Sequence, residues 1–225
     1  MKNKDLKRRI ISISYKHKLS HLGSCLTAVD IIDEIFQQKK PDERFVLSSG
    51  HAGLALYCVL EKYETQDFDG NIIPLNAEEI FKHHGVHPDR CKECRLDCST
   101  GSLGQGLPIA VGMALADRSK NVYCLISDGE CAEGSIHEAM RIARQYQLTN
   151  LHVYLNDNGY AAYQETNTYG FPFYVKDGNT NGGYPYVNCY WKRTSSEQLP
   201  FLKGQDAHYA TMNEDDYRVA MEVMK

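Results

Sequence analysis

The chain has 225 residues, with 25 Lys+Arg against 29 Asp+Glu and a formal net charge of −4. That length suits one large α/β domain or two small ones with a buried core, and the acidic balance argues against a nucleic-acid or anionic-membrane partner. No apolar run reaches the ~18 residues that cross a bilayer, the basic start has no signal-peptide pattern, and eight cysteines without a secretory signal read as reduced thiols in a cytoplasmic protein.

Leu6, Ile10 and Ile13 stand at helical spacing between charges, which predicts a half-buried helix over 4–18. Thr27, with Asp30 three residues on, predicts the cap of a second helix whose apolar face is Val29, Ile32 and Phe36. Arg44 to Ser49 reads as a short buried strand, and Gly50-His51 opens a helix to about Glu61. The stretch 83–100 reads as irregular and is rich in His, Cys and Pro. Small apolar residues from Gly104 to Ala116 predict a tightly packed helix, Asn121 to Ile126 a buried strand, Ser135 to Tyr146 an amphipathic helix, and Leu151 to Leu155 the next strand. Strand, helix, strand at this spacing is a βαβ unit. It implies an α/β fold with a mostly parallel sheet flanked by helices and ligands at the carboxyl ends of its strands. Later, Phe171 to Val175 and Tyr186 to Trp191 read as strands joined by a turn-rich linker, and Asn213 to Met224 as a closing helix. One domain, 1–225, accounts for all of this, with 160–225 as its shortened C-terminal part.

The chemistry concentrates at two strand ends. Asp128 follows one buried strand and Asn158 the next, and adjacent parallel strands run ~4.8 Å apart. Their side chains, with the Tyr160 carbonyl, are oxygen donors for one hard cation. Gly129 lets an anion approach backbone N–H groups at the start of the following helix. Magnesium plus a diphosphate is the economical reading, although Asp-Gly after a strand is also an ordinary turn.

These residues resemble the thiamine diphosphate fingerprint of the transketolase family, in which Gly-Asp-Gly is followed about thirty residues on by Asn. Here Ser127 replaces the first Gly, ahead of Asp128 and Gly129, with Asn156-Asp157-Asn158-Gly159 downstream. Further segments match in the family's order: Ser20-His21-Leu22-Gly23-Ser24, Leu47-Ser48-Ser49-Gly50-His51, His87-Pro88-Asp89, and Thr100 to Gly106. The resemblance covers 20–160. It implies a diphosphate-binding fold in which Asp128, Asn158 and the Tyr160 carbonyl hold Mg2+ (or Ca2+). By the same resemblance, His51, Gly129 and Asn158 contact the diphosphate of thiamine diphosphate, and Gly101, Ser102 and Leu103 line the cofactor. His21 and His87 face the sugar or sugar-phosphate substrate, Glu133 couples two cofactor sites across a subunit interface, and His208 is the family's late cofactor- and substrate-facing histidine.

The family's second domain carries the Glu that activates the cofactor, and this sequence is expected to stop before that domain. The resemblance therefore implies a split transketolase: this chain is its N-terminal section, and a separate C-terminal subunit supplies the pyrimidine-binding domain, as a dimer of heterodimers. The segment after Asn158 is too short for the family's usual crossover helices, which bears on His208. Competing readings are the diphosphate-binding subunit of a 2-oxoacid decarboxylase or dehydrogenase, and a non-catalytic half-enzyme. The segments at 20–24, 87–88 and 100–106 favour transketolase over the former, and intact polar site residues argue against the latter.

Two features stand outside that frame. Cys91, Cys94 and Cys98, with His83, His84 and His87 just before them, offer zinc ligands. A second CxxC is absent, so the balance falls to reduced, partly buried thiols. Tyr184, Tyr186, Tyr190 and Trp191 read as core or interface packing rather than a sugar platform.

Overall fold

Leu6, Ile10 and Ile13 form the buried stripe of the first helix, α1 (Lys4–His17), in a computed structural model of the chain. The structure describes residues 2–63, 65–66, 72–161, 164–166, 186–204 and 206–225. After α1 come α2 (Leu22–Gln38), β1 (Arg44–Leu47), α3 (Gly53–Lys62), β2 (Thr65–Gln66), β3 (Ile72–Ile73) and α4 (Ala77–His84). Then follow α5 (Gly106–Ala116), β4 (Val122–Ser127), α6 (Gly134–Gln145), β5 (Leu151–Asp157), β6 (Asn188–Arg193), α7 (Asp206–Tyr209) and α8 (Glu214–Val223). No described helix is long and apolar enough to cross a membrane.

The chain divides into two compact units, one of residues 1–41, 51–87 and 195–225, the other of residues 42–50 and 88–194. In the first, α1, α2 and α3 bury Ile10, Ile13, Leu26, Val29, Ile32 and Leu60 against one another. α2 begins at Leu22, five residues before the predicted cap. Thr27 lies inside the helix, where its hydroxyl donates to the Ser24 carbonyl at 2.9 Å, the back-bond typical of a buried helical Thr. Ion pairs close the unit's seams. Lys7 Nζ meets Asp30 at 2.7 Å and the Gln198 side chain at 3.0 Å, and the fully buried Asp33 accepts from Lys62, Tyr63 and Gln37. α8 starts at the capping box of Asn213 and Asp216. α4 takes in His83 and His84, which the sequence places in an irregular stretch; Asn76 caps it by accepting from the N–H groups of Glu78 and Glu79.

In the second unit the described strands form an all-parallel sheet in the order β1–β4–β5–β6. Alternate residues of β4 and β5 (Cys124, Ile126, Val153, Leu155) enter one apolar core with Leu107 and Val111 of α5 and Ile136 and Met140 of α6. The βαβ unit β4–α6–β5 is therefore present, with Ser127 opposite Asn156 at its carboxyl end. α5 starts at Gly106 rather than Gly104. A Cβ at Gly106 would lie 2.5 Å from Ser48, so only glycine lets the helix meet the end of β1. β6 realises the predicted strand at 186–191, shifted two residues on. Tyr190 stacks on Tyr154 with ring centroids 4.4 Å apart, and Trp191 Nε1 donates to Asp157 at 2.7 Å, so both serve packing within the sheet. Tyr186 is half exposed. The predicted strand at 171–175, the linker at 177–183 and Tyr184 lie outside the described residues.

Candidate functional site

Each unit contributes a cluster of polar residues. In the sheet unit, Asp128 sits just past the tip of β4 with 2% of its surface exposed, and Asn158 just past the tip of β5 with 9%. Asp128 Oδ2 accepts from the Gly159 N–H at 2.7 Å and the Thr166 hydroxyl at 2.7 Å, and Oδ1 accepts from the Gly129 N–H at 3.1 Å. Asn158 Oδ1 accepts from the Tyr160 N–H at 3.0 Å. The backbone of Tyr160 pairs with Glu165, which folds the segment after β5 back toward Asp128. Burial pushes the Asp128 carboxyl up to about 6; the bonds from Thr166 and Gly159 pull it down, and neighbouring Asp157 adds to the rise.

A hard cation fits this donor set. Among the described residues, Asp128 Oδ1 and Asn158 Oδ1 each accept one of the two bonds that a carboxylate or amide oxygen can take, which leaves a lone pair on each. A bound cation would offset the cost of keeping so buried a carboxylate charged. Gly129 differs from the sequence expectation in one respect, since its N–H is engaged by Asp128. A Cβ at Gly129 would meet Ala161 at 3.2 Å, so a close backbone approach does hold there.

Glu130 is the residue that sequence reasoning missed. Its carboxylate is fully buried. Oε1 accepts from the Ser48 hydroxyl and from the Gly104 N–H at 3.0 Å; Oε2 accepts from the Ser127 N–H at 2.9 Å and its hydroxyl at 3.3 Å. One side chain thus ties together the end of β1, the 101–106 loop and the tip of β4. Gly101, Ser102 and Leu103 are the partly or wholly exposed crest of that loop. Gly104 turns at φ 83°, beside Ser135, whose hydroxyl donates to the Gly104 carbonyl at 2.8 Å, and near Glu133, the N-cap residue of α6. Nothing in the turn singles Glu130 out, since Asp128 and Glu133 flank it. Its burial pushes its carboxyl upward against the bonds from Ser48, Gly104 and Ser127.

In the helical unit, His21 caps α2 in the left-handed region at φ 62°, and its N–H donates to the His208 carbonyl at 2.9 Å. Gly23, in the first turn of α2, allows this approach, because a Cβ there would lie 3.2 Å from the Ala207 carbonyl. The His21 ring lies 5.4 Å from that of His51 and 4.8 Å from that of His208; His51 and His208 are 5.4 Å apart, and Tyr209 borders both His21 and His208. The structure so brings together three histidines that the sequence scatters over nearly its whole length. His87 is exposed and acts on His21 and His51 through its charge. His21 Nδ1 is buried and has no hydrogen-bond partner among the described residues, an orphaned polar atom of the kind that a ligand satisfies.

Desolvation, reinforced by the other histidines, pushes His21 down to about 4 and His51 to about 3, and burial lowers His208. All three rings are neutral near pH 7. A His whose folded value lies below its ordinary 6.5 binds fewer protons folded than unfolded, so its contribution to stability is whole above 6.5 and falls with pH below it. The denaturant-derived unfolding free energy should therefore drop between pH 7.5 and 5. His51→Gln should remove about 2 kcal/mol of that drop. An identical pH dependence in variant and parent would contradict the neutral cluster.

The family described as "Transketolase, thiamine diphosphate binding domain" matches residues 9–170. Human transketolase is 39% identical over 153 residues, covering 61% of this chain and 24% of that protein. An apulose-4-phosphate transketolase subunit of Phocaeicola vulgatus is 32% identical over 166 residues, covering 68% of this chain and 58% of that protein. The chain thus spans about a quarter of the full transketolases it matches and somewhat over half of the Phocaeicola protein. Among solved structures, a transketolase of Pichia stipitis superposes with a TM-score of 0.73 at 20% identity, over 98% of this chain and 40% of that one, a likeness of fold.

Proposed function

Because the chain belongs to the transketolase family through its thiamine diphosphate-binding domain, we propose that it is the diphosphate-binding subunit of a two-subunit transketolase-like transferase that moves a two-carbon ketol unit between sugars. The observation that carries this reading is Asp128: a buried carboxylate at a strand tip, with Asn158 just past the end of the neighbouring strand. Likeness to a Phocaeicola protein whose name makes it one subunit of a transketolase supports the division between two chains. The uncovered Pro108, Ile109 and Gly112 on α5 support a further subunit, since an apolar helix rarely leaves such a face to water. We take the partner to carry the pyrimidine-binding domain and the assembly to be a dimer of heterodimers. Residues 1–225 work as one functional domain. Eight thiols, none in a disulfide, fit a cytoplasmic setting.

In this reading Asp128, Asn158 and the Tyr160 carbonyl hold Mg2+ or Ca2+, and His51, Gly129 and Asn158 meet the diphosphate. Gly101, Ser102 and Leu103 line the cofactor, and Glu133 lies toward the second cofactor site. Thiamine diphosphate, when bound, supplies the electron sink for ketol transfer. The chain's own part is to bind, orient and hydrogen-bond. His21, His87 and His208 face the sugar, and the neutral imidazoles of His21 and His208 donate to a developing alkoxide without placing a full charge beside it.

The chain mixed with a pyrimidine-domain partner and Mg2+ should bind thiamine diphosphate and transfer a ketol unit, and the chain alone should not turn over. His21→Ala should lower kcat of the pair by roughly 10²- to 10⁴-fold, the range for a lost proton-handling group, with little change in cofactor affinity. Turnover by the isolated chain would refute the two-subunit reading. An effect of His21→Ala confined to cofactor affinity would move that residue to the diphosphate side.

A further inference from the structure

Residues 91–96 form a tight hairpin that the transferase reading leaves unused. The backbones of Cys91 and Leu96 exchange both of their hydrogen bonds, Cys91 N–H to Leu96 O at 3.0 Å and Leu96 N–H to Cys91 O at 2.8 Å. Between them Arg95, directly after the second cysteine, turns the chain in the left-handed region at φ 59°. The Cys94 N–H donates to Cys91 Sγ at 3.2 Å, and the two sulfurs lie within 4.8 Å of one another without a disulfide.

Each of these features has a chemical consequence. A C-x-x-C hairpin brings two sulfurs to one side of a turn at the separation that a tetrahedral ion requires. A backbone N–H aimed at the first sulfur fixes the direction of its lone pairs. A non-glycine residue at positive φ carries a strain that a bare surface turn has no need to keep. Both cysteines are partly exposed, so an ion can reach them and remaining coordination positions stay open to other donors or water. Cys98, which the sequence groups with them, does not belong to the set. It lies in the apolar core beneath the sheet, with its thiol directed to the Ser99 carbonyl at 3.3 Å.

We propose that Cys91 and Cys94 are two thiolate ligands of a zinc ion held by this hairpin, with water or further donors completing its tetrahedron. The proposal is independent of the cofactor reading. The ion replaces two thiol protons, which pass to solvent, and pins the segment leading from Pro88 to Thr100, whose N–H donates to the Pro88 carbonyl at 3.0 Å.

The test uses the purified full chain, loaded with zinc under reducing conditions and dialysed free of excess. About one zinc per chain is expected to remain, falling below a tenth in Cys91→Ser and in Cys94→Ser. Cobalt loading should give the thiolate-to-cobalt charge-transfer band of two sulfur ligands, lost in either single variant. Asp128→Asn should keep its zinc, which separates this site from the cofactor site. A parent chain holding less than a tenth of an equivalent, or a cobalt spectrum without thiolate bands, would overturn the proposal, as would zinc retention by the Cys91→Ser, Cys94→Ser double variant. Far-ultraviolet circular dichroism of each variant guards against reading misfolding as metal loss: a folded variant without metal supports the assignment.

Discussion

Asp128→Asn is expected to abolish Mg2+-dependent binding of thiamine diphosphate by the reconstituted pair while leaving the fold intact. The amide is nearly isosteric with the carboxylate. Its oxygen, set in the Oδ2 position, still accepts from the Gly159 N–H and the Thr166 hydroxyl, so the turn after β5 keeps its anchor and gives up only the 3.1 Å bond from the adjacent Gly129 N–H. What disappears is the negative charge at a site where water is excluded and a cation has few other counter-charges. Residues that merely support a metal ligand are worth up to ~100-fold in affinity, and a charged direct ligand should be worth at least that. Calorimetric titration of the pair in Mg2+ measures the loss, and the melting temperature of the variant alone reports the fold. If the variant binds cofactor as tightly as its parent, Asp128 is an anchor for Gly159 and Thr166 and nothing more, and the diphosphate reading of this chain fails with it.

That prediction concerns a residue the sequence displays openly. A continuous apolar run ending in Ser127-Asp128-Gly129 can hardly be anything but a buried strand with a polar tip, because every side chain from Val122 to Ser127 is buried. The same legibility covers β5 and α6, where periodicity and burial coincide. It fails where local rules are suspended. α2 has no side-chain cap for the eye to find; it starts from a histidine in the left-handed region held by a carbonyl from far along the chain. A threonine later in the same helix therefore looked like its beginning. The clustering of His21, His51 and His208 is a tertiary fact. Motif resemblance suggests all three, His208 from the shortest match, and the packing of α7 against α2 is what sets it beside His21. Glu130 was invisible for the opposite reason: a charged residue in a turn is ordinarily solvated, and nothing local signals that three backbone segments converge on it.

Glu130 supplies the second large expected effect. Glu130→Gln keeps the volume and one acceptor oxygen but replaces the other with an NH2 group. The Glu130 carboxylate receives four hydrogen bonds, shared between Gly104 and Ser48 on one oxygen and Ser127 on the other. Gln can satisfy one side only, and its NH2 then faces a backbone N–H that has no other acceptor within the turn. A buried donor left unmade costs ~1–3 kcal/mol, which for a chain of this size lowers the melting temperature by about 2–4 °C per kcal/mol. Glu138→Gln, an exposed charge on α6, serves as the matched control and should leave the melting temperature unchanged. Because Glu130 braces the 101–106 loop against the tip of β4, its variant should also weaken thiamine diphosphate binding by the pair, whereas a stability defect elsewhere would spare affinity in the folded fraction. A Glu130→Gln chain that melts with its parent and binds cofactor equally would mean that the three segments hold their places without the carboxylate, leaving their convergence to apolar packing alone.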